Sequence, residues 1–198
     1  MLCLESATSA AWLRCALDNM NAVLVDHAHC EHKAAVTALS FVSRYPDDPE
    51  LVLRLSALAS EEADHLRRVA ALCAARGLQL GHPERDPYAK ALLSMTRADA
   101  VGHRVDRLLI CALIEARSCE RLRLLAEHLQ DPELQPFYDE LWRCEAGHFT
   151  LFRTLAERSL SRADGEASAR EQVRLRLTEL ARFEAQLLEQ LPIRPAIH

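Results

Sequence analysis

The chain has 198 residues, enough for one compact domain with a core; 49% are apolar, led by Leu and Ala, with five Gly and few aromatic residues. Strand-like alternation is absent, so the expected class is all-α. A formal net charge of −5 argues against a broadly basic nucleic-acid binder, though not against a local basic patch, and no long apolar run suggests a membrane span.

Residues 9–44 predict a helix broken near Asp18-Asn19-Met20-Asn21, with Ser9 placed to cap it and Leu24, Ala28, Glu31, Ala35 and Ala38 near helical period. Arg44-Tyr45-Pro46-Asp47-Asp48-Pro49 is a strong breaker. Asp48 fits an N-cap and Pro49 an N1 proline for a second helix over 49–76, which Gly77 suits as its C′ residue. The stripe Leu51, Leu55, Leu58, Glu62, His65, Val69, Leu72 is interrupted by an acid and an imidazole. Buried without partners, these two would be strongly destabilising; a metal supplies the compensation.

Residues 77–87 are the longest Gly/Pro-rich segment and, with a short helix over 88–96, predict a crossover. A third helix, about 99–129, carries Leu108, Ala112, Glu115, Cys119 and Leu122. After Gln130-Asp131-Pro132, with Asp131 capping and Pro132 at N1, a fourth helix over 132–160 carries Tyr138, Leu141, Glu145, His148 and Phe152. Gly165 breaks the pattern. Residues 167–191 predict an amphipathic fifth helix through Val173, Leu177, Leu180, Phe183, Leu187 and Leu191, and the tail from Pro192 is expected to be loose.

Two Glu-x-x-His quartets, Glu62-Ala63-Asp64-His65 and Glu145-Ala146-Gly147-His148, each follow a lone glutamate by about thirty residues, Glu31 and Glu115. With nine His and eighteen Glu in the chain, one such quartet is expected by chance, so the placement of the partners carries the weight. Glu31 and Glu62 each lie about fifteen residues from the first turn, which sets both about 23 Å from it along antiparallel helices. Glu115 and Glu145 repeat that spacing around the second turn, and positions i and i+3 share a helix face.

Four carboxylates and two imidazoles on four helices are the donor set of a carboxylate-bridged dinuclear site in a ferritin-like four-helix bundle: two antiparallel hairpins, a long crossover and here an additional C-terminal helix. Residues 1–198 are expected to form a single domain, with a bundle core over about 9–160 and an accessory helix over about 167–191. The donors suit two iron ions, with manganese as the alternative, whereas a structural zinc site would favour cysteine. His27, four residues before Glu31, is expected near the site, and Asp26 and Asp64 are candidates to orient ligand imidazoles through the second ring nitrogen. Glu120 would sit some 7 Å out of level with Glu145, as a surface residue or a support for the ligands from outside. Seven Cys without a Cys-x-x-Cys pair read as reduced thiols of a cytoplasmic protein, mostly small core residues.

Asp26-His27-Ala28-His29-Cys30-Glu31-His32-Lys33-Ala34-Ala35 and Ile114-Glu115-Ala116-Arg117-Ser118-Cys119-Glu120-Arg121 resemble segments of the tRNA 2-methylthio-isopentenyladenosine hydroxylases. Glu61-Glu62-x-x-His65 and Glu145-x-x-His148-Phe149 fit the same pattern, so the resemblance runs from about residue 9 to 160; Leu66 and Gly147 depart from it. The resemblance implies a non-haem di-iron monooxygenase with ligands Glu31, Glu62, His65, Glu115, Glu145 and His148. It would hydroxylate the isopentenyl group of a hypermodified adenosine beside the tRNA anticodon. The reaction would use O2 and electrons from an external donor such as a ferredoxin or reductase system. A ferritin-like iron oxidase or store, and a manganese catalase, are the alternatives. A tRNA substrate asks for positive surface, for which Arg67, Arg117 and Arg121 are candidate phosphate contacts, a solvated face balanced by acids being the plainer reading of each.

Overall fold

A computed structural model describes residues 2–83 and 85–198, with residues 162–164 described by their backbone alone. Glu84, in the expected crossover, lies outside the described residues. Among the described residues there are seven helices and no strand: α1 Ala10–Asp18, α2 Met20–Arg44, α3 Pro49–Ala75, α4 Pro87–Leu93, α5 Ala100–His128, α6 Leu134–Asp164 and α7 Glu166–Gln190. This is the all-α, ferritin-like plan of two helical hairpins, α2–α3 and α5–α6, joined by a crossover that contains α4 and followed by an extra helix, α7. No described helix is long and apolar enough to cross a membrane.

The helix ends follow local chemistry. The Trp12 amide donates to Ser9 Oγ at 3.1 Å, and Asn19 Nδ2 donates to the Cys15 carbonyl at 2.9 Å, which closes α1 at the predicted break. Asp48 accepts from the Leu51 amide at 3.3 Å, with Pro49 at the start of α3. Gly77, at φ +67°, ends α3: its amide donates to the Ala74 carbonyl and that of Leu78 to Cys73, a double closure that needs a left-handed residue. Asp131 accepts from the amides of Glu133 and Leu134 at 2.9 and 3.0 Å, closing the turn before α6, but the N-cap position itself is Glu133 rather than Asp131 and Pro132 is not at N1. Residues 132 and 133 belong to the turn, and α6 begins at Leu134, two residues later than the sequence pattern indicates. α6 also outruns its predicted end, continuing to Asp164. Gly165, at φ +79° and ψ 156°, closes α6 and opens α7 with no residue between.

The chain divides into two compact units. The first comprises Arg14–Arg85 with Arg194–Ile197. Here α2 packs along α3 through Val23, Leu24, Ala28, Ala38 and Phe41 on one helix and Leu51, Leu55, Leu58 and Val69 on the other, all buried. The tail is not loose here, because the Ile197 amide donates to Asp26 Oδ2 at 2.7 Å and Ala196 and Ile197 are buried.

The second unit holds the N-terminal segment to Leu13, Asp86–Ile193 and His198. α5 is its axis: from Leu108 to Leu113 every residue is buried, since α6, α7 and α4 all pack on it. His198 is placed by ring stacking on Tyr88, with centroids 5.7 Å apart, and by a 3.0 Å contact between its Nε2 and Ser118 Oγ, so this end of the tail is held as well.

Asp106, on α5, is fully buried and ties α7 to the segment before α5. It accepts from the Arg97 amide and guanidinium at 2.8–2.9 Å and from Arg176 Nε and Nη2 at 3.0 Å. Burial pushes the carboxyl up, and the hydrogen bonds from Arg97 and Arg176 outweigh it, leaving Asp106 below its ordinary value. A depressed folded value gives stability that is present above the unfolded value, about 4, and is lost as pH falls through the folded one. Asp106→Asn is therefore expected to cost about 3 kcal/mol at pH 7. The gap from the parent chain should narrow in acid. Urea midpoints at neutral pH and at about pH 3 check this; a gap independent of pH would refute it.

Candidate metal centre

Each unit builds its own trio of donors. In the first, Glu31 comes from the middle of α2 and Glu62 and His65 from α3, and their ligand atoms lie within 4.8 Å of one another. In the second, Glu115 comes from α5 and Glu145 and His148 from α6, again within 4.8 Å. All six are buried, none more than 7% exposed. The equal spacing of each lone glutamate and its quartet from their turn brings them level, as the arithmetic on the sequence requires.

Two buried carboxylates beside one imidazole are costly unless a cation joins them. Burial lowers His65, but hydrogen bonds and charge from Glu31 and Glu62 outweigh it and raise its pKa to about 11. Nδ1–H donates to Glu62 Oε2 at 3.3 Å and lies 3.6 Å from Glu31 Oε2. The two carboxylates thus favour positive charge at this point of the bundle. In the second trio His148 Nδ1 lies 3.3 Å from Glu145 Oε2, the same geometry at the same i, i+3 spacing. Hard carboxylate oxygens with one borderline nitrogen per trio fit a divalent transition metal. Two nearby thiols are held in the neutral form: burial and then the Glu145 charge push Cys119 up to about 11, and burial and then Glu115 push Cys111 up to about 12.

The residues expected around the ligands divide. His27 is beside the site, with Nε2 2.5 Å from Glu31 Oε1. Asp26 holds Cys30 Sγ at 3.6 Å and the Ile197 amide, not a ligand imidazole. Asp64 points to solvent, where its carboxylate pairs with Arg67 at 2.7 Å, because the residue between Glu62 and His65 in this way faces outward. Of the three arginines proposed for phosphate, Arg67 alone reaches solvent. Arg117 is fully buried: Nε and Nη2 donate to the two oxygens of Glu184 at 2.8 Å, Nη1 to Glu120 and to Thr8 Oγ1, and Nη2 to the Ser6 carbonyl. Arg121 is buried against the Trp12 ring, 4.7 Å from its centroid, and burial holds it down to about 10. Glu120 is spent on Arg117 and on the Thr8 amide and hydroxyl. These three are therefore a structural lock on α5 and neither phosphate contacts nor ligand supports.

The sequence reading missed Glu184, which is fully buried and also accepts from the Tyr88 hydroxyl at 3.0 Å. The signal was present: Leu177, Leu180, Glu184 and Leu187 are at helical period, an acid on an apolar stripe like Glu62, whereas Phe183, chosen for that stripe, is only partly buried.

A model of the tRNA-(MS[2]IO[6]A)-hydroxylase (MiaE) family matches residues 1–198. The chain belongs to the MiaE family. A tRNA 2-(methylsulfanyl)-N(6)-isopentenyladenosine(37) hydroxylase of Pseudomonas putida is 40% identical over 157 residues, covering 79% of this chain and 76% of that protein. The hydroxylase of the same description from Salmonella typhimurium is 31% identical over 203 residues, covering 78% and 75%. Among solved structures, a protein from Synechococcus described as having aldehyde deformylating oxygenase activity aligns with a TM-score of 0.90 at 39% identity, over 100% of this chain and 96% of that one. The MiaE family is one of tRNA hydroxylases.

Proposed function

We propose that this chain is an O2-dependent di-iron monooxygenase that hydroxylates the isopentenyl group of 2-methylthio-isopentenyladenosine beside the anticodon of tRNA. The observation that carries the reading is the repetition of one buried Glu, Glu-x-x-His trio in each hairpin of a chain of the MiaE family. Glu31, Glu62 and His65 with Glu115, Glu145 and His148 would hold the iron ions. When bound, iron passes electrons to O2, so that one oxygen atom enters the substrate C–H bond and the other leaves as water with two electrons and two protons from outside. The protein's own part is to keep four carboxylates desolvated and fixed and to hold Glu31 in place through His27. The electrons come from an external donor of the ferredoxin or reductase kind, and the setting is the cytoplasm.

The test is turnover. The purified chain is loaded with Fe(II) and given reductant, O2 and tRNA carrying the isopentenyl modification. The expected product is the hydroxylated nucleoside, heavier by one oxygen that derives from O2. No gain, together with rapid Fe(II) oxidation by a multimeric shell, would replace this reading with iron storage. An aldehyde belongs in the same assay as a competing substrate, given the activity described for the Synechococcus protein.

A further inference from the structure

We infer that the cavity between α5 and α6 receives the five-carbon apolar tail of the substrate adenosine, an inference that rests on the hydroxylase reading above. The cavity measures about 280 Å³, and its apolar wall includes Leu4, Ala116, Cys119, Trp142 and Ala146. Ala116 and Cys119 stand one and four residues after Glu115; Trp142 and Ala146 stand three before and one after Glu145. Cys119 and Trp142 share helix faces with Glu115 and Glu145 respectively, and the Glu145 charge is felt at the Cys119 thiol, so this part of the wall lies about one helical turn from the trio. The two alanines leave the space open, and a branched five-carbon group with a neighbouring methylthio group fits a volume of this size.

The polar edge suits the rest of a nucleotide. Arg123 lines the cavity and is 47% exposed, so it can meet ribose phosphate from solvent. Glu120, also at the edge, is turned to Arg117 and accepts from the Thr8 amide and hydroxyl. Those same bonds seat the N-terminal segment, so that Leu4, 8% exposed, becomes part of the wall.

Emission from Trp142, one of two tryptophans in the chain, reads out binding. Iron-loaded protein is titrated with the nucleoside 2-methylthio-N6-isopentenyladenosine, with adenosine as the control and Trp142→Phe as the blank. The prenylated nucleoside is expected to shift the emission, and adenosine and the blank are expected to show no shift. Ala146→Leu, at a partly exposed position, should weaken the response about tenfold with helicity and iron content unchanged; Leu4→Phe, which fills the cavity from a non-helical segment, serves if Ala146→Leu does not fold. No shift, an equal shift with adenosine, or an undiminished response in the filled variants overturns the pocket. Turnover of prenylated tRNA by the parent chain is scored separately. A nucleoside response without oxygen gain removes the hydroxylase reading and keeps the pocket; oxygen gain without a response does the reverse.

Discussion

Alanine at Arg117 is expected to remove roughly 3–5 kcal/mol of stability, the largest loss from any single side chain outside the donor trios. Arg117 uses its guanidinium donors on Glu184, Glu120, Thr8 and the Ser6 carbonyl, and neither it nor Glu184 has exposed surface. Without it, two buried carboxylates lose the guanidinium that hydrogen-bonds both, and the N-terminal segment and α7 lose their common attachment to α5. Lysine is no substitute, because a point charge cannot reproduce the paired bonds to both Glu184 oxygens. For a domain of this size the loss should lower the melting temperature by roughly 6–20 °C. A double replacement of Arg117 and Glu184 by apolar residues should cost less than Arg117→Ala alone, since it removes more of the stranded charge. Thermal and denaturant melts decide it: an Arg117→Ala chain within about 1 kcal/mol of the parent would show that the lock is ornamental.

The second large effect is on metal. Glu62→Ala or His148→Ala should abolish turnover and lower metal affinity by more than the roughly 10–100-fold that loss of an outer supporting group costs. Stability provides a readout independent of activity. A metal at about a hundred times its dissociation constant adds about 2.7 kcal/mol to the folded state. The parent chain should therefore melt several degrees higher when Fe(II) is added under anaerobic conditions, and the Glu62→Ala chain should not respond. Asp64→Ala, three-dimensionally outside the trio and paired with Arg67, should keep the metal response, which separates a lost ligand from a general perturbation. Equal stabilisation of the parent and Glu62→Ala chains would remove Glu62 from the donor set.

The helices and the convergence of each glutamate with its Glu-x-x-His quartet were legible because they depend on local chemistry and spacing. Asp48-Pro49, Asp131 and Gly77 announce where helices start and stop, and the distance of Glu31, Glu62, Glu115 and Glu145 from their turns fixes which residues come level. What was not legible depended on which face of a helix another element covers. Arg117 and Arg121 look like surface charge in sequence, and only the packing of α7 and the N-terminal segment on α5 buries them. The tail after Pro192 carries no periodic signal, yet the Ile197 amide hydrogen-bonds to Asp26 and the His198 ring stacks on Tyr88. Asp106 was missed for a similar reason: its two guanidinium partners come from nine and seventy residues away.

The joint between α6 and α7 has one residue, Gly165, in a backbone conformation essentially reserved for glycine. With no loop to absorb a change in length, a residue inserted in the first turns of α7 would swing everything beyond it by about 100° around the helix axis. Glu184 would then face away from Arg117. Natural length variation should accordingly be concentrated in the segment between α3 and α4 and be selected against at this joint, which acts as the gauge that keeps the two long helices in phase.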